Sequence, residues 1–139
     1  KATCKQQHKT LKTKKAMSCE TCEFCPPYSM GETLRFTVEI LVWDEGTNTY
    51  VGVDSLDGFD ALYILRQGDV TLSFALSDPE ISIEGDYTFV VAVPSSEMTG
   101  IEPGKVEHEF WYTDTSDAER QVFSSYFTAK TSVKWEESL

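Results

Sequence analysis

The sequence has no long hydrophobic run. Its apolar runs, such as those at residues 40–43 and 89–93, fall far short of the ~20 residues that a membrane-spanning helix needs. The first 30 residues are polar and lysine-rich and contain no apolar segment of the secretory kind. We therefore expect a protein that is made in a cytosol and does not enter a membrane.

Catalytic motifs are also missing. The chain has no G-x-S-x-G elbow, no H-E-x-x-H, no P-loop and no G-x-G-x-x-G. It has two histidines, His8 and His108. His108 is in phase with Val106 and Phe110 on an alternating segment, which predicts a ring that faces the core or a partner rather than a catalytic triad. We expect a protein that is not an enzyme.

The net charge of −11 conceals two regions of opposite sign. Residues 1–17 carry +6 with no acidic residue, and the remainder carries −17. The acidic body should repel nucleic acid and anionic membranes, whereas the basic arm is suited to bind either of these or an acidic protein surface. A solvated terminal segment is the alternative reading. The candidate partner-binding residues are the six lysines of this arm, Lys1, Lys5, Lys9, Lys12, Lys14 and Lys15.

All four cysteines lie in the first 25 residues, at Cys4, Cys19, Cys22 and Cys25. The last three are spaced by two residues each, so a tight loop brings three thiols together and Cys4 can supply a fourth. Four thiolates in a tetrahedron suit a structural zinc ion, and a segment with so little apolar content has few other means of folding. One structural Zn²⁺ is thus a candidate cofactor.

Three alternatives to zinc remain open for this cluster. The spacing followed by Pro26 also has features of iron–sulfur ligation, although the fourth ligand stands on the wrong side of the common pattern. Disulfides need an oxidising medium, and cysteines three residues apart bridge poorly in regular structure. Four free thiols are the third alternative. His8 could replace one of the four thiols as a ligand.

Short strands and turns dominate from the Pro26–Pro27 pair onward, which marks a boundary between an arm of residues 1–28 and a domain of residues 29–139. Residues 94–100 predict the only helical turn, capped by Ser95 or Ser96. Turn signals every 8–12 residues predict an all-β, antiparallel β-sandwich. The predicted strands are residues 33–43, 50–53, 59–65 (apolar at Leu62 and Ile64), 70–76, 81–83, 87–93, 106–113 and 122–135.

Several segments resemble a group of small Ig-like phage proteins. They are GETLRFT at residues 31–37, ALYILR at 61–66, LS at 76–77, and GDYTFVVAVPSSEMTGIEPGKVEHEF at 85–110. The last segment is similar to their strand, short turn, proline-glycine reversal and following strand. The resemblance covers about residues 31–133, and it is to the N-terminal domain of phage upper baseplate proteins.

The resemblance implies an Ig-like sandwich and a non-enzymatic virion structural protein, made in the host bacterial cytoplasm. Such a protein docks on a larger oligomer at the tail, baseplate or tail-fibre junction, with other virion proteins and further copies of itself as partners. We expect the basic arm to be the docking element. The alternatives are a capsid decoration protein and a small carbohydrate-binding module, the latter suggested by Trp43, Trp111 and Trp135.

Overall fold

The computed structural model describes residues 2–8 and 28–131, which form two β-sheets facing each other. In these ranges the chain makes ten strands and one turn of 3₁₀ helix, Ser95–Glu97. The all-β prediction is confirmed. The strands are β1 (Ala2–His8), β2 (Tyr28–Ser29), β3 (Leu34–Asp44), β4 (Thr49–Gly52), β5 (Asp60–Gln67), β6 (Val70–Ala75), β7 (Ile81–Glu84), β8 (Thr88–Val93), β9 (Gly104–Thr113) and β10 (Glu119–Lys130).

The first sheet has the strand order β1-β3-β8-β7, with β4 paired to the end of β3. The second sheet has the order β2-β10-β9-β5-β6. All pairings among β3 to β10 are antiparallel, as the sequence predicts. The strands that precede them, β1 and β2, pair in parallel with β3 and β10. A parallel pair cannot be joined by a hairpin, and the long connections within each of these pairs meet that requirement.

The core lies between the two sheets and is largely aromatic. Phe36 of the first sheet meets Tyr63 of the second edge to face, with ring centroids 5.0 Å apart. Phe89 and Phe110 also meet across the two sheets, with tilted rings whose centroids are 5.8 Å apart. These rings alternate with outward side chains along each strand, so the period-2 pattern produces one buried layer.

Strand β5 presents apolar side chains on both of its faces. Ala61, Tyr63 and Leu65 point into the core, whereas Leu62 and Ile64 point outward, Leu62 with 37% of its surface exposed. Because all five residues are apolar or aromatic, the sequence pattern alone does not say which set is buried. Pairing with the neighbouring strands decides which face of β5 is buried, because Tyr63 lies opposite Phe110 and Phe74, which are both buried.

Strand β10 begins earlier than predicted and contains a bulge. The register with β9 shifts between Gln121 and Phe123, so the consecutive residues Val122 and Phe123 are both fully buried. Before it, the Asp114 carboxylate accepts hydrogen bonds from the backbone N–H groups of Ser116 and Ala118, which closes the turn. This turn lets the strand start at Glu119 and run as one continuous element to Lys130.

The helical turn lies where it is predicted but is capped differently. Its N-cap is Pro94, and no side chain makes a capping hydrogen bond, so the prediction of Ser95 or Ser96 as the cap is wrong. Backbone bonds from Glu97 N to Pro94 O and from Met98 N to Ser95 O are enough to hold a single turn. In the described ranges, no helix has the length and apolar character that crossing a bilayer requires.

Part of the predicted arm contributes to the sheets. Ala2–His8 runs beside Phe36–Val42 of β3. Tyr28 is buried, donates a hydrogen bond from its hydroxyl to the Glu32 carbonyl at 2.8 Å, and packs edge to face on Phe127. The boundary at residue 28 itself stays a prediction.

Candidate functional site

The predicted metal and partner-binding residues mostly fall outside the described residues. Cys4 and Lys5 lie on β1, where their backbones pair with Val38 and Glu39 of β3. Zinc binding and partner binding by this segment stay predictions. The residues outside the described ranges are Cys19, Cys22, Cys25, Lys1, Lys9, Lys12, Lys14 and Lys15.

His108 is a core residue. Only 2% of its surface is exposed, with Nδ1 2.8 Å from the Tyr63 hydroxyl and Nε2 3.3 Å from the Ser125 hydroxyl. Its ring packs against the rings of Phe123 and Phe127 at 4.7 and 4.9 Å. Burial lowers the pKa of His108 from 6.5 to about 3, so the imidazole is neutral at neutral pH. The core-facing prediction is confirmed, and this ring is neither charged nor accessible for catalysis.

The outer face of the second sheet carries a groove of about 410 Å³. Its centre is apolar, because Leu62 and Trp111 lie side by side on β5 and β9, with Ala75 next to Leu62 on β6. Ile64 continues the same face one step along β5. We call this surface the outer groove. The residues lining it are Asp60, Ala61, Leu62, Ile64, Ala75, Glu109, Trp111, Thr113 and Glu119.

The Glu109 carboxylate is fixed at one side of the outer groove. It accepts a hydrogen bond from the Trp111 indole N–H and another from Arg66, which lies 2.8 Å away as an ion pair. Partial burial raises the pKa of Glu109, but the bonds from Trp111, Arg66 and Gln121 outweigh it and the net pKa is lowered. Glu109 is therefore ionised at neutral pH, and it holds the Trp111 ring in place.

Two further carboxylates border the apolar centre. Asp60 and Glu119 both pair with Thr113, from β5 and β10 respectively, and both are exposed. They lie two strands apart, which is about 10 Å in a sheet. Together with Glu109 they give the groove three carboxylates, against the single guanidinium of Arg66. The outer groove thus combines apolar surface with net negative charge.

The tryptophans are not grouped in one place in the described part of the chain. Trp43 packs edge to face on Tyr50 in the first sheet, at 5.1 Å between centroids. Trp111 lies in the outer groove on the second sheet. Trp135 lies outside the described residues. Because Trp43 and Trp111 belong to different sheets, they do not form a common binding platform.

Sequence reasoning did not single out the outer groove as a site. Its signal was the run ALYILR at residues 61–66, in which every residue before Arg66 is apolar or aromatic. A strand with one solvated face normally alternates between apolar and polar residues. A run that is apolar on both faces therefore indicates that the outward face contacts a partner or ligand.

Comparisons with known proteins give a structural match. No family model and no curated protein matches the chain in sequence. Among solved structures, it is similar to the N-terminal domain of phage TP901-1 ORF48, at 8% sequence identity and a TM-score of 0.42. The match covers 94% of this chain and 98% of that one. ORF48 is a phage baseplate protein.

Proposed function

We propose that the chain is a non-enzymatic structural protein of a bacteriophage virion. It docks on a larger oligomer at the tail, baseplate or tail-fibre junction, and its basic N-terminal segment is the anchoring element. Its partners are other virion proteins and further copies of itself. The segments at residues 31–37, 61–66 and 85–110, which resemble small phage virion proteins, suggest this class.

The outer groove is the observation that carries the proposal. Leu62 and Trp111 expose apolar surface beside a fixed ion pair between Arg66 and Glu109. Protein interfaces typically combine an apolar centre that includes an aromatic residue or an arginine with a polar rim. A sheet face built in this way is suited to contact another protein.

The anchoring role of the N-terminal segment is supported by charge. Residues 1–17 carry +6, whereas the rest of the chain carries −17. Oppositely charged surfaces attract each other and speed association, so this segment is attracted to acidic neighbours. An acidic sandwich of the same kind is such a neighbour.

Fractionation of purified particles into heads and tails, followed by mass spectrometry, tests the proposal. We expect the chain in the tail fraction. A variant with Lys12→Glu and Lys15→Glu should fold but be depleted from particles, while the control Glu45→Lys with Glu84→Lys should incorporate normally. These substitutions are preferred to a deletion, because Ala2–His8 and Tyr28 belong to the sheets.

Three results would contradict the proposal. Absence of the chain from all particle fractions argues against a virion protein, and recovery in heads alone supports the capsid decoration alternative. Normal incorporation of the Lys12 and Lys15 variant would place the anchor on the sandwich rather than on the segment.

A carbohydrate-binding module is the second candidate, favoured by one observation. Trp111 lies in the outer groove beside three carboxylates, and aromatic faces next to hydrogen-bonding groups suit sugars. Tryptophan fluorescence titrations with host-wall saccharides separate the two functions. Saturable quenching that disappears in Trp111→Ala but persists in Trp43→Ala would favour this module.

A further inference from the structure

We propose that the outer groove of one copy binds residues 9–15 of a neighbouring copy. This inference rests on the proposed function, because it names the partner of the anchoring segment and the surface that receives it. The occupant is a lysine-rich peptide with a single large aliphatic side chain, Leu11.

Charge is the first property that matches. Residues 9–15 contain Lys9, Lys12, Lys14 and Lys15 and no acidic residue. The groove offers three carboxylates, of which those of Asp60 and Glu119 are exposed at its border. These two are about 10 Å apart, and an extended segment with lysines one to three residues apart presents cations at intervals of about 3–10 Å. One segment therefore reaches both carboxylates.

The apolar surfaces match as well. Leu11 is the only large apolar residue between His8 and Met17, and it has a lysine two residues before it and another directly after it. In the groove, Leu62, Ile64 and Trp111 form an apolar floor next to the carboxylates. The occupant and the groove thus have the same order of features, one apolar centre bordered by charge.

The position of β1 favours a neighbouring copy over the chain's own groove. His8, the last residue of β1, pairs with Val42 in the first sheet. The outer groove lies on the far face of the second sheet, beyond the core and the sheet itself. The described part of β1 therefore ends, at His8, on the half of the sandwich that is remote from the outer groove of the same chain. In a two-fold pair each copy gives its segment and receives the other's, which doubles the contact area.

Charge-exchange variants of the full chain test this arrangement. The donor variant carries Lys12→Glu and Lys15→Glu, and the acceptor variant carries Asp60→Lys and Glu119→Lys. The control carries Glu45→Lys and Glu84→Lys. It changes the net charge by the same amount as the acceptor variant, but at exposed residues in the half of the sandwich that contains the first sheet. Sedimentation velocity at low ionic strength, about 50 mM, measures self-association where charges are least screened, and circular dichroism verifies that each variant keeps its β-sheet spectrum.

We expect the wild type and the control to dimerise. The donor and acceptor variants alone should associate about tenfold more weakly, since two or more charge pairs become repulsive. An equimolar mixture of the two should recover the wild-type association, because every segment then meets a groove of opposite charge. A chain that carries all four substitutions should recover it too.

Four outcomes would overturn the inference. A wild type that stays monomeric at every concentration would contradict it. An acceptor variant that associates as strongly as the wild type would contradict it too. Recovery in the four-substitution chain but not in the mixture would show that the segment binds its own groove. If the donor variant alone is lost from particles while the acceptor variant incorporates normally, the proposed function stands and only the receiving surface is wrong.

Discussion

The Tyr63 hydroxyl lies 2.8 Å from Nδ1 of His108, with both side chains enclosed between the two sheets. A buried imidazole needs polar partners, since an unsatisfied polar group in a core costs free energy. Tyr63 and Ser125 supply one partner to each ring nitrogen. The pair is therefore a structural element of the core, and it makes the fold testable by substitution and by pH.

The pH dependence of stability should report on His108. Burial lowers its pKa from 6.5 in the unfolded chain to about 3 in the folded one. Below pH 6.5 the unfolded chain binds a proton that the folded chain does not, so this stability is fully present above that pH. It is lost as the pH falls towards 3, at about 1.4 kcal/mol per pH unit.

Urea unfolding at several pH values between about 7.5 and 5 measures this loss. The wild type should lose stability more steeply than His108→Gln, which has no group that titrates at this position. The difference between the two curves isolates His108 from the carboxylates. Parallel curves would mean that the ring is accessible to protons.

Tyr63→Phe should destabilise the fold by about 1–2 kcal/mol, because it leaves His108 Nδ1 without its hydroxyl partner in the core. Tyr126→Phe is the matched control, since Tyr126 is half exposed, and it should change the free energy of unfolding by less than about 0.5 kcal/mol. Chemical denaturation measures both. Equal effects for the two substitutions would contradict the buried pair.

Two leucines of β5 should respond very differently to truncation. Leu65→Ala should cost about 2–5 kcal/mol because Leu65 is fully buried. Leu62→Ala should cost less than about 1 kcal/mol because Leu62 points outward. Thermal unfolding of both variants measures the contrast. A larger loss for Leu62 would mean that β5 is paired in the opposite phase.

Gly52→Ala should destabilise the first sheet. A Cβ at Gly52 would overlap atoms of the Tyr87 ring, including Cγ near its base, so the ring has to move. We expect a loss of about 1–3 kcal/mol. The same substitution in a Tyr87→Ala background should cost much less, and a cycle of the four proteins measures this coupling. An unchanged cost would place the obstacle elsewhere.

Metal content tests the cysteine cluster. If Cys4, Cys19, Cys22 and Cys25 bind zinc, protein purified without oxygen should contain close to one zinc per chain by elemental analysis. Cys22→Ser should lose most of it, whereas Thr21→Ser, beside the cluster, should keep it. Little metal together with four thiols that react with a thiol reagent would favour free cysteines.

Strand positions were predictable because their signals are local. Residues 33–43, 70–76 and 87–93 carry alternation or β-branched and aromatic residues between turn signals, and each corresponds to a strand of the structure. The helical turn was also found, although Pro94 and not a serine is its N-cap. A cap depends on where the first backbone hydrogen bond forms, which the residue type alone does not determine.

Distant pairing was not predictable in the same way. The bulge that buries both Val122 and Phe123 depends on how β10 meets β9. The parallel pairing of β1 with β3 joins residues more than 30 positions apart. Such contacts arise from the assembly of the sheets, and no pattern within either strand indicates them.

The sequence by itself determined that the chain is all-β, that its charge is divided between a basic segment and an acidic body, and that His108 shares one face of its strand with Val106 and Phe110. Each follows from composition or from alternation over a few residues. Only the tertiary structure decided that Leu62 and Ile64 face outward, and that Trp111, Asp60 and Glu119 gather around them. A strand that is apolar on both sides has two equivalent phases, and the burial of Tyr63 against the opposite sheet selects one.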